Sequence, residues 1–311
     1  MKVAFNRQLR RSPWGGGAHF ATAFADYLVA NSHEVVYSLL SGIDWIVMLD
    51  PRPEAGGFSV NEILNYKRQH PSTKILHRVN DTGVTRGGAE LDRIILIANE
   101  AVADNTVFIS EWVRDYFIGG GFDANKKHTV ITNGCDSKFF HPPHLGEPQE
   151  PHSPLRLVTH HWSDNPAKGL DVYKYIDEHV FDLDVRFTYV GRYPKTYSPK
   201  NTQIIQPLYG KELGDELRRH DVYVTGARHE ACGSHHVEGA ACGMPVIFHR
   251  EGGGVVEMCS RYGVGINGVD EIPRALEQIR ANYRGLVNRA IKHDLSANGM
   301  CAKYLRVMEE S

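Results

Sequence analysis

Through the first 131 positions, apolar residues come in short runs separated by polar turns. The runs at 3–5, 34–39, 45–49, 74–77, 106–109 and 129–131 are rich in Val, Ile, Leu and Phe and read as strands. Between them, 18–30, 59–69, 89–103 and 111–118 repeat apolar residues at helical spacing. Strand alternating with helix predicts βαβ units and a parallel sheet.

The same pattern restarts after 142–154, a stretch with five prolines and almost no aliphatic residue. Beyond it, strands are expected at 156–159, 185–190, 203–205, 221–225 and 245–248, and helices near 169–179, 210–219, 234–242, 254–261 and 271–281. The last segment, 283–308, reads as helical and could pack on either half. The expected fold class is α/β: two Rossmann-like, doubly wound domains facing a central cleft. Residues 1–145 would form the first domain, 146–154 a linker and 155–282 the second, with 283–311 a helical segment free to cross back to the first. No fixed-period repeat is visible.

Composition narrows the partners. The chain has 311 residues, of which 23% are charged and 41% apolar, ordinary for a globular protein of about two domains. A net charge of −2 argues against a polybasic nucleic-acid binder, although Lys2, Arg7, Arg10 and Arg11 precede the first acidic residue, Asp26. That basic start reads as a solvated loop. The five cysteines, 135, 232, 242, 259 and 301, lie far apart without a C-x-x-C pair, so neither a disulfide framework nor a zinc ribbon is indicated. No apolar run is long enough to span a membrane, and the polar start lacks the core of a signal peptide, so a cytoplasmic location is expected.

In parallel α/β sheets, ligands bind beyond the carboxyl ends of the strands. There the stretch RHEACGSHHVEGAACGMPVI, 228–247, puts Glu230 in a loop after a strand and Glu238 about a turn into the next helix. Between them lie Gly233, Ser234 and His235 at the start of that helix, whose free backbone N–H groups suit phosphate. Carboxylates at both ends with an anion site between them fit a nucleotide sugar, hydroxylated at its ends and charged in the middle. The plainer alternative leaves Glu238 on a solvated helix face.

Glu230 to Glu238, followed by Gly243-x-Pro245-Val246 and Gly252-Gly253-Gly254, resembles the E-x7-E signature of family 4 glycosyltransferases, retaining enzymes of the GT-B fold. Lys168-Gly169, Val190-Gly191-Arg192, Phe108-Ile109-Ser110-Glu111 and Asn133-Gly134 follow the order expected of that family across most of the chain. The resemblance implies that Glu230 contacts the donor sugar, Glu238 the ribose hydroxyls and Lys168 the diphosphate. Arg192 and Tyr209 would join the donor site, Tyr209 from the loop that cradles the base. The glycine loop Gly15, Gly16 and Gly17 would close over the diphosphate. One departure stands out: the family's arginine about six residues before the lysine is replaced by Trp162. Either His160 or His161, Arg192 or backbone N–H groups replace its bidentate grip on phosphate, or donor binding is weaker than in the family.

His77, Arg78, Asn80 and Asp81 follow the strand at 74–77 and are the acceptor-side candidates. The adjacent histidines at 160–161 and 235–236 lack the spacing of metal ligands, and Asp182-Leu183-Asp184 precedes a strand, the wrong end for a metal-binding D-x-D site. No metal is therefore assigned, and no cofactor is obligatory. The expected activity is retaining transfer of a hexose from GDP-mannose or a UDP-hexose to an acceptor hydroxyl on a glycan, glycoprotein or lipid-linked sugar. Rival readings are a nucleotide-sugar epimerase and a non-catalytic nucleotide-sugar or polysaccharide-binding protein.

Overall fold

The computed structural model describes residues 1–9, 16–52, 57–86, 88–143 and 150–311. The chain divides into two units, Met1–Asn133 with Ala297–Ser311, and Gly134–Ser296.

The first unit holds strands β1 (Lys2–Phe5), β2 (Glu34–Val36), β3 (Trp45–Met48), β4 (Lys74–Val79), β5 (Asn105–Phe108) and β6 (His128–Val130). They form one parallel sheet in the order β2-β1-β3-β4-β5-β6. β3 is buried along its whole length, as a strand covered by helices on both faces must be. One face packs Val3, Phe5 and Val47 against Phe20, Phe24 and Leu28 of helix Gly16–Ala30; the other packs Ile46 and Ile75 against Ile63. The helix that carries Ile63, Val60–Gln69, starts on a capping box between Ser59 and Glu62, which fixes where the chain turns back over the sheet.

The second unit holds β7 (Leu155–His161), β8 (Val185–Gly191), β9 (Gln203–Ile205), β10 (Val222–Thr225), β11 (Val246–His249) and β12 (Gly263–Ile266). Its parallel sheet runs β12-β11-β10-β7-β8-β9. The chain winds from β7 outward through β8 and β9, then returns to lay β10 on the other side of β7. The junction of β7 and β10 is therefore the topological switch point, where two loops diverge and leave a crevice for ligand. The core beneath it gathers Leu157, Tyr173, Phe187, Val222, Val224 and Ile247.

Three differences from the sequence reading have local causes. β12 was not expected, because Gly263 and Gly265 alternate with Val264 and Ile266 and dilute the β signal; pairing with β11 supplies what propensity does not. β4 runs on through Arg78 to Val79 rather than ending at His77. The single helical segment 283–308 is two helices, Tyr283–Lys292 and Ala297–Glu309, interrupted near Asp294. The second lies on helix Gly16–Ala30, with the Tyr304 ring 4.6 Å from that of Phe20 and 5.4 Å from that of Phe24.

Candidate functional site

The loops leaving β7 and β10 are tied together at the switch point. After β7, Pro166–Lys168 forms a single 3-10 turn ended by Gly169 at φ 104°, a left-handed conformation that favours glycine. A Cβ on Gly169 would stand 2.4 Å from the Gly226 Cα, so the two loops meet backbone to backbone. Arg228 secures the contact: its amide donates to the Ala167 carbonyl at 3.1 Å and its guanidinium grips Asp171 with two bonds, at 2.9 and 2.7 Å. The result seats Lys168 against Glu230, and the two form an ion pair. Their side chains keep 27% and 19% of their exposure, so the pair is half-buried and reachable.

Glu230 is also fixed through its backbone. Its N–H donates to the Gly252 carbonyl at 3.2 Å and its carbonyl accepts from the Gly254 N–H at 2.8 Å, so the loop after β11 straps the loop after β10. Three residues on, Gly233 caps helix Ser234–Ala241 with no side-chain hydrogen bond, leaving the first-turn N–H groups of Ser234, His235 and His236 uncapped. Gly233 allows a close approach there, since a Cβ would meet the His235 ring at 2.4 Å.

Glu238, on the same helix, is 7% exposed and sits opposite the end of β7. Its carboxylate accepts from His160 Nε2 at 2.8 Å, and His160 Nδ1 in turn faces the Tyr223 hydroxyl at 3.1 Å, which also receives the His160 N–H at 3.2 Å. Glu238 is thus no solvated helix residue. His161 points the other way, into the core, with Nε2 2.6 Å from the Tyr173 hydroxyl and 3.1 Å from Thr159 Oγ1. Burial, with Lys168 and His160 adding, holds its pKa well below the ordinary histidine value. His235, bonded to Thr225 Oγ1 at 3.1 Å, is lowered in the same way, by burial first and then by the nearby His161, His236 and Lys168. His236 is lowered to about 4 by burial.

Of the groups that could replace the expected arginine, His160 is committed to Glu238 and His161 is neutral in the core. Arg192 is exposed just past the end of β8, anchored through its N–H to the His161 carbonyl at 2.9 Å. Trp162 stacks on Tyr209 with centroids 4.5 Å apart and planes 10° from parallel, and Tyr209 is 44% exposed.

In the first unit the candidates separate. His77 has no exposed surface; its Nδ1 lies 3.0 Å from the Asn99 amide, and burial pushes its pKa down to about 3. Arg78 is 2% exposed, bonded to Asn133 at 2.8 Å and lying over the Phe20 ring at 4.1 Å. Because β4 extends through both, neither belongs to an acceptor-facing loop as expected. Asn80 and Asp81 do follow the strand, both half-buried, with Asp81 held by Thr82 and Thr85. Gly16 and Gly17 are in the first turn of helix Gly16–Ala30 rather than in a loop, with Gly17 packed near the Asn80 amide; Gly15 lies outside the described residues. Asp182 and Asp184 sit at the amino end of β8. Among the described residues, no group of three or more His, Cys, Asp or Glu side chains is arranged to hold a metal ion, and no helix is long and apolar enough to cross a membrane.

Sequence reasoning missed the partners that fix the site: Gly226, Tyr223, and the Arg228–Asp171 pair, whose members are 57 residues apart. Only Gly226, immediately after an expected strand, carried a local signal.

Two parallel six-stranded sheets with their helices make this the GT-B fold of two Rossmann-like units. Residues 195–286 match the family described as Glycosyl transferases group 1. A sequence comparison with curated proteins finds no match. Among solved structures, Anabaena HepE in complex with UDP and glucose is similar over 100% of this chain and 99% of its own, at 12% identity and a TM-score of 0.73. WaaG, a glycosyltransferase involved in lipopolysaccharide biosynthesis, is similar over 100% of both chains, at 13% identity and 0.69. A sucrose-phosphate synthase from Thermosynechococcus elongatus is similar over 99% of this chain and 98% of its own, at 13% identity and 0.68.

Proposed function

We propose that the protein is a retaining glycosyltransferase that moves a hexose from a nucleoside-diphosphate sugar to an acceptor hydroxyl. The observation that carries this reading is the convergence of Lys168, Glu230, Glu238 and an uncapped helix N-terminus at the switch point of one sheet.

In this reading the donor diphosphate takes Lys168 from Glu230 and lies along the amides of Ser234, His235 and His236. Glu230, released from the ion pair, accepts hydrogen bonds from the sugar hydroxyls, and Glu238 does the same for the ribose while His160 fixes its orientation. Charge building on the leaving phosphate is stabilised by Lys168, by the helix end and by Arg192, groups already in place before the bond breaks. Neutral His161 and His235 pack behind that charge without adding to it. A leaving phosphate oxygen takes the acceptor's proton on the face where the bond breaks, which gives retention. Tyr209, backed by Trp162, offers a face for the base. The family match and the UDP and glucose bound by HepE support a nucleotide-sugar donor, either a UDP-hexose or GDP-mannose, and no divalent metal is assigned to the step. Asn80 and Asp81 are the acceptor-side residues kept in this reading; the acceptor is a glycan, glycoprotein or lipid-linked sugar, and the reaction is cytoplasmic.

The test is a thermal-shift panel of UDP-, GDP-, ADP- and dTDP-sugars, followed by NMR of the product anomer with the donor that binds. A ligand at about 100 times its Kd adds about 2.7 kcal/mol to folding, a shift of several degrees. One donor should stabilise the protein and lose that effect in Glu238→Ala. Full turnover by Lys168→Ala or Glu230→Ala overturns the mechanism, and donor binding without transfer to any acceptor makes the protein a binding protein of the same fold.

A further inference from the structure

The carboxyl end of the second sheet carries another polar hollow, at its edge beyond β11 and β12. Its volume is 240 Å³, and its walls include Arg250, Gly265, Asn267, Glu271, Arg274 and Gln278. Arg250 immediately follows β11, Asn267 immediately follows β12, and Arg274 is on helix Ile272–Ala281, which begins at the hollow.

Arg250 and Arg274 both line this small space, and among the described residues neither has a carboxylate within 4.0 Å. The carboxylate in the hollow is already engaged: Glu271 accepts from the Asn267 backbone N–H at 2.9 Å and from its side-chain amide at 3.0 and 3.2 Å. These bonds, with Arg250 and Arg274 adding, hold the Glu271 carboxyl below its ordinary pKa, so it stays ionised and occupied. Arg250 rests on the β12 backbone: a Cβ on Gly265 would lie 3.1 Å from its Cγ, Cζ and Nη1. Gly265 therefore lets the guanidinium settle flat on the strand, which restricts it before any ligand arrives. Glu271 offsets one of the two positive charges, and the charge left over favours a further anion between the arginines.

The geometry points to a binding site for a phosphate group, free or as a small monoester. Two planar forks, each able to donate in pairs, match the oxygens of a tetrahedral dianion better than a single carboxylate. Gln278 adds a neutral donor, and the N-terminal end of helix Ile272–Ala281 adds a positive dipole. The inference does not depend on the transferase reading, since none of these residues belongs to the Lys168 and Glu230 cluster.

Titration of the full chain with inorganic phosphate, against sodium chloride at matched ionic strength, tests it through the arginine Nε–H resonances. Those of Arg250 and Arg274 should move saturably with phosphate and not with chloride. Arg250→Gln and Arg274→Gln should each weaken binding about tenfold, as loss of a charge-assisted contact implies, and the double variant should abolish it. Lys168→Ala, which removes a phosphate-seeking cation of the switch-point site, should leave these shifts unchanged. Tighter binding of glycerol 3-phosphate than of phosphate assigns a monoester, and equal or weaker binding assigns phosphate itself. Absence of saturable shifts, or their survival in the double variant, overturns the inference.

Discussion

Gly169→Ala tests whether the contact between two backbones holds the site. At φ 104° an added Cβ meets its own backbone, which costs about 1–2 kcal/mol. It would also stand 2.4 Å from the Gly226 Cα and 2.6 Å from its carbonyl carbon, and no rotamer relieves a clash with backbone. Overpacking of that kind costs a further ~1–3 kcal/mol, so the variant should lose about 2–5 kcal/mol in all. Gly121→Ala supplies the control: φ is 107° there, and nothing lies within 4 Å of its would-be Cβ. The control bears the dihedral cost alone, and the gain from a stiffer unfolded chain is shared by both variants. Denaturant unfolding of the two proteins, compared at equal m, should therefore separate them by the contact term of about 1–3 kcal/mol. Donor-dependent turnover, measured well below either midpoint, should fall in Gly169→Ala and not in Gly121→Ala, because only the first moves Lys168. Equal destabilisation of the two variants would refute the idea that the Gly169 and Gly226 loops are pressed together.

Two further outcomes follow from buried polar groups. His236 is lowered to about 4 by burial, so between the unfolded value near 6.5 and about 4 the unfolded chain binds a proton that the folded chain does not. Stability is therefore full above about pH 6.5 and falls toward pH 4, by about 3 kcal/mol from this residue alone; His77, His161 and His235, all lowered, act in the same direction. Urea midpoints across that range should show the fall in the parent and a shallower one in His236→Gln; equal slopes would refute the assignment. Tyr223→Phe removes the hydroxyl that faces His160 Nδ1 at 3.1 Å and accepts from the His160 backbone N–H at 3.2 Å, and should cost about 1–3 kcal/mol in stability while weakening nucleotide binding through Glu238. Unchanged nucleotide affinity would show that His160 does not need that hydroxyl to orient Glu238.

The alternation of short apolar runs with helical stretches was enough to read two parallel α/β sheets, because buried parallel strands are rich in β-branched and aromatic residues along their whole length. Where the reading failed, packing outweighed composition. β12 is half glycine, and its partner β11 makes it a strand. β4 continues past His77 to Arg78 and Val79 because the Arg78 guanidinium finds Asn133, 55 residues away. An arginine after an apolar run looks like the start of a loop in sequence, and only the distant partner reveals that it is still strand.

The site divides along the same line. Glu230, Glu238 and Lys168 could be singled out because each stands next to the end of a strand or the start of a helix, positions that local sequence marks. What joins them is set by residues far apart in the chain, such as His160 and Glu238 at a separation of 78. Trp162 shows why such pairings matter. Read alone, it is the absence of an arginine; read with Tyr209 stacked on it at 4.5 Å, it is one half of an aromatic surface beside the same crevice. The residue after β7 thus contributes apolar area where a cation was expected, and the one exposed arginine at the adjoining strand end is Arg192, beyond β8. A phosphate held there would be gripped from the β8 side, so Arg192→Ala should weaken nucleotide binding more than Trp162→Arg strengthens it; the reverse order in a titration would return the phosphate to the β7 side.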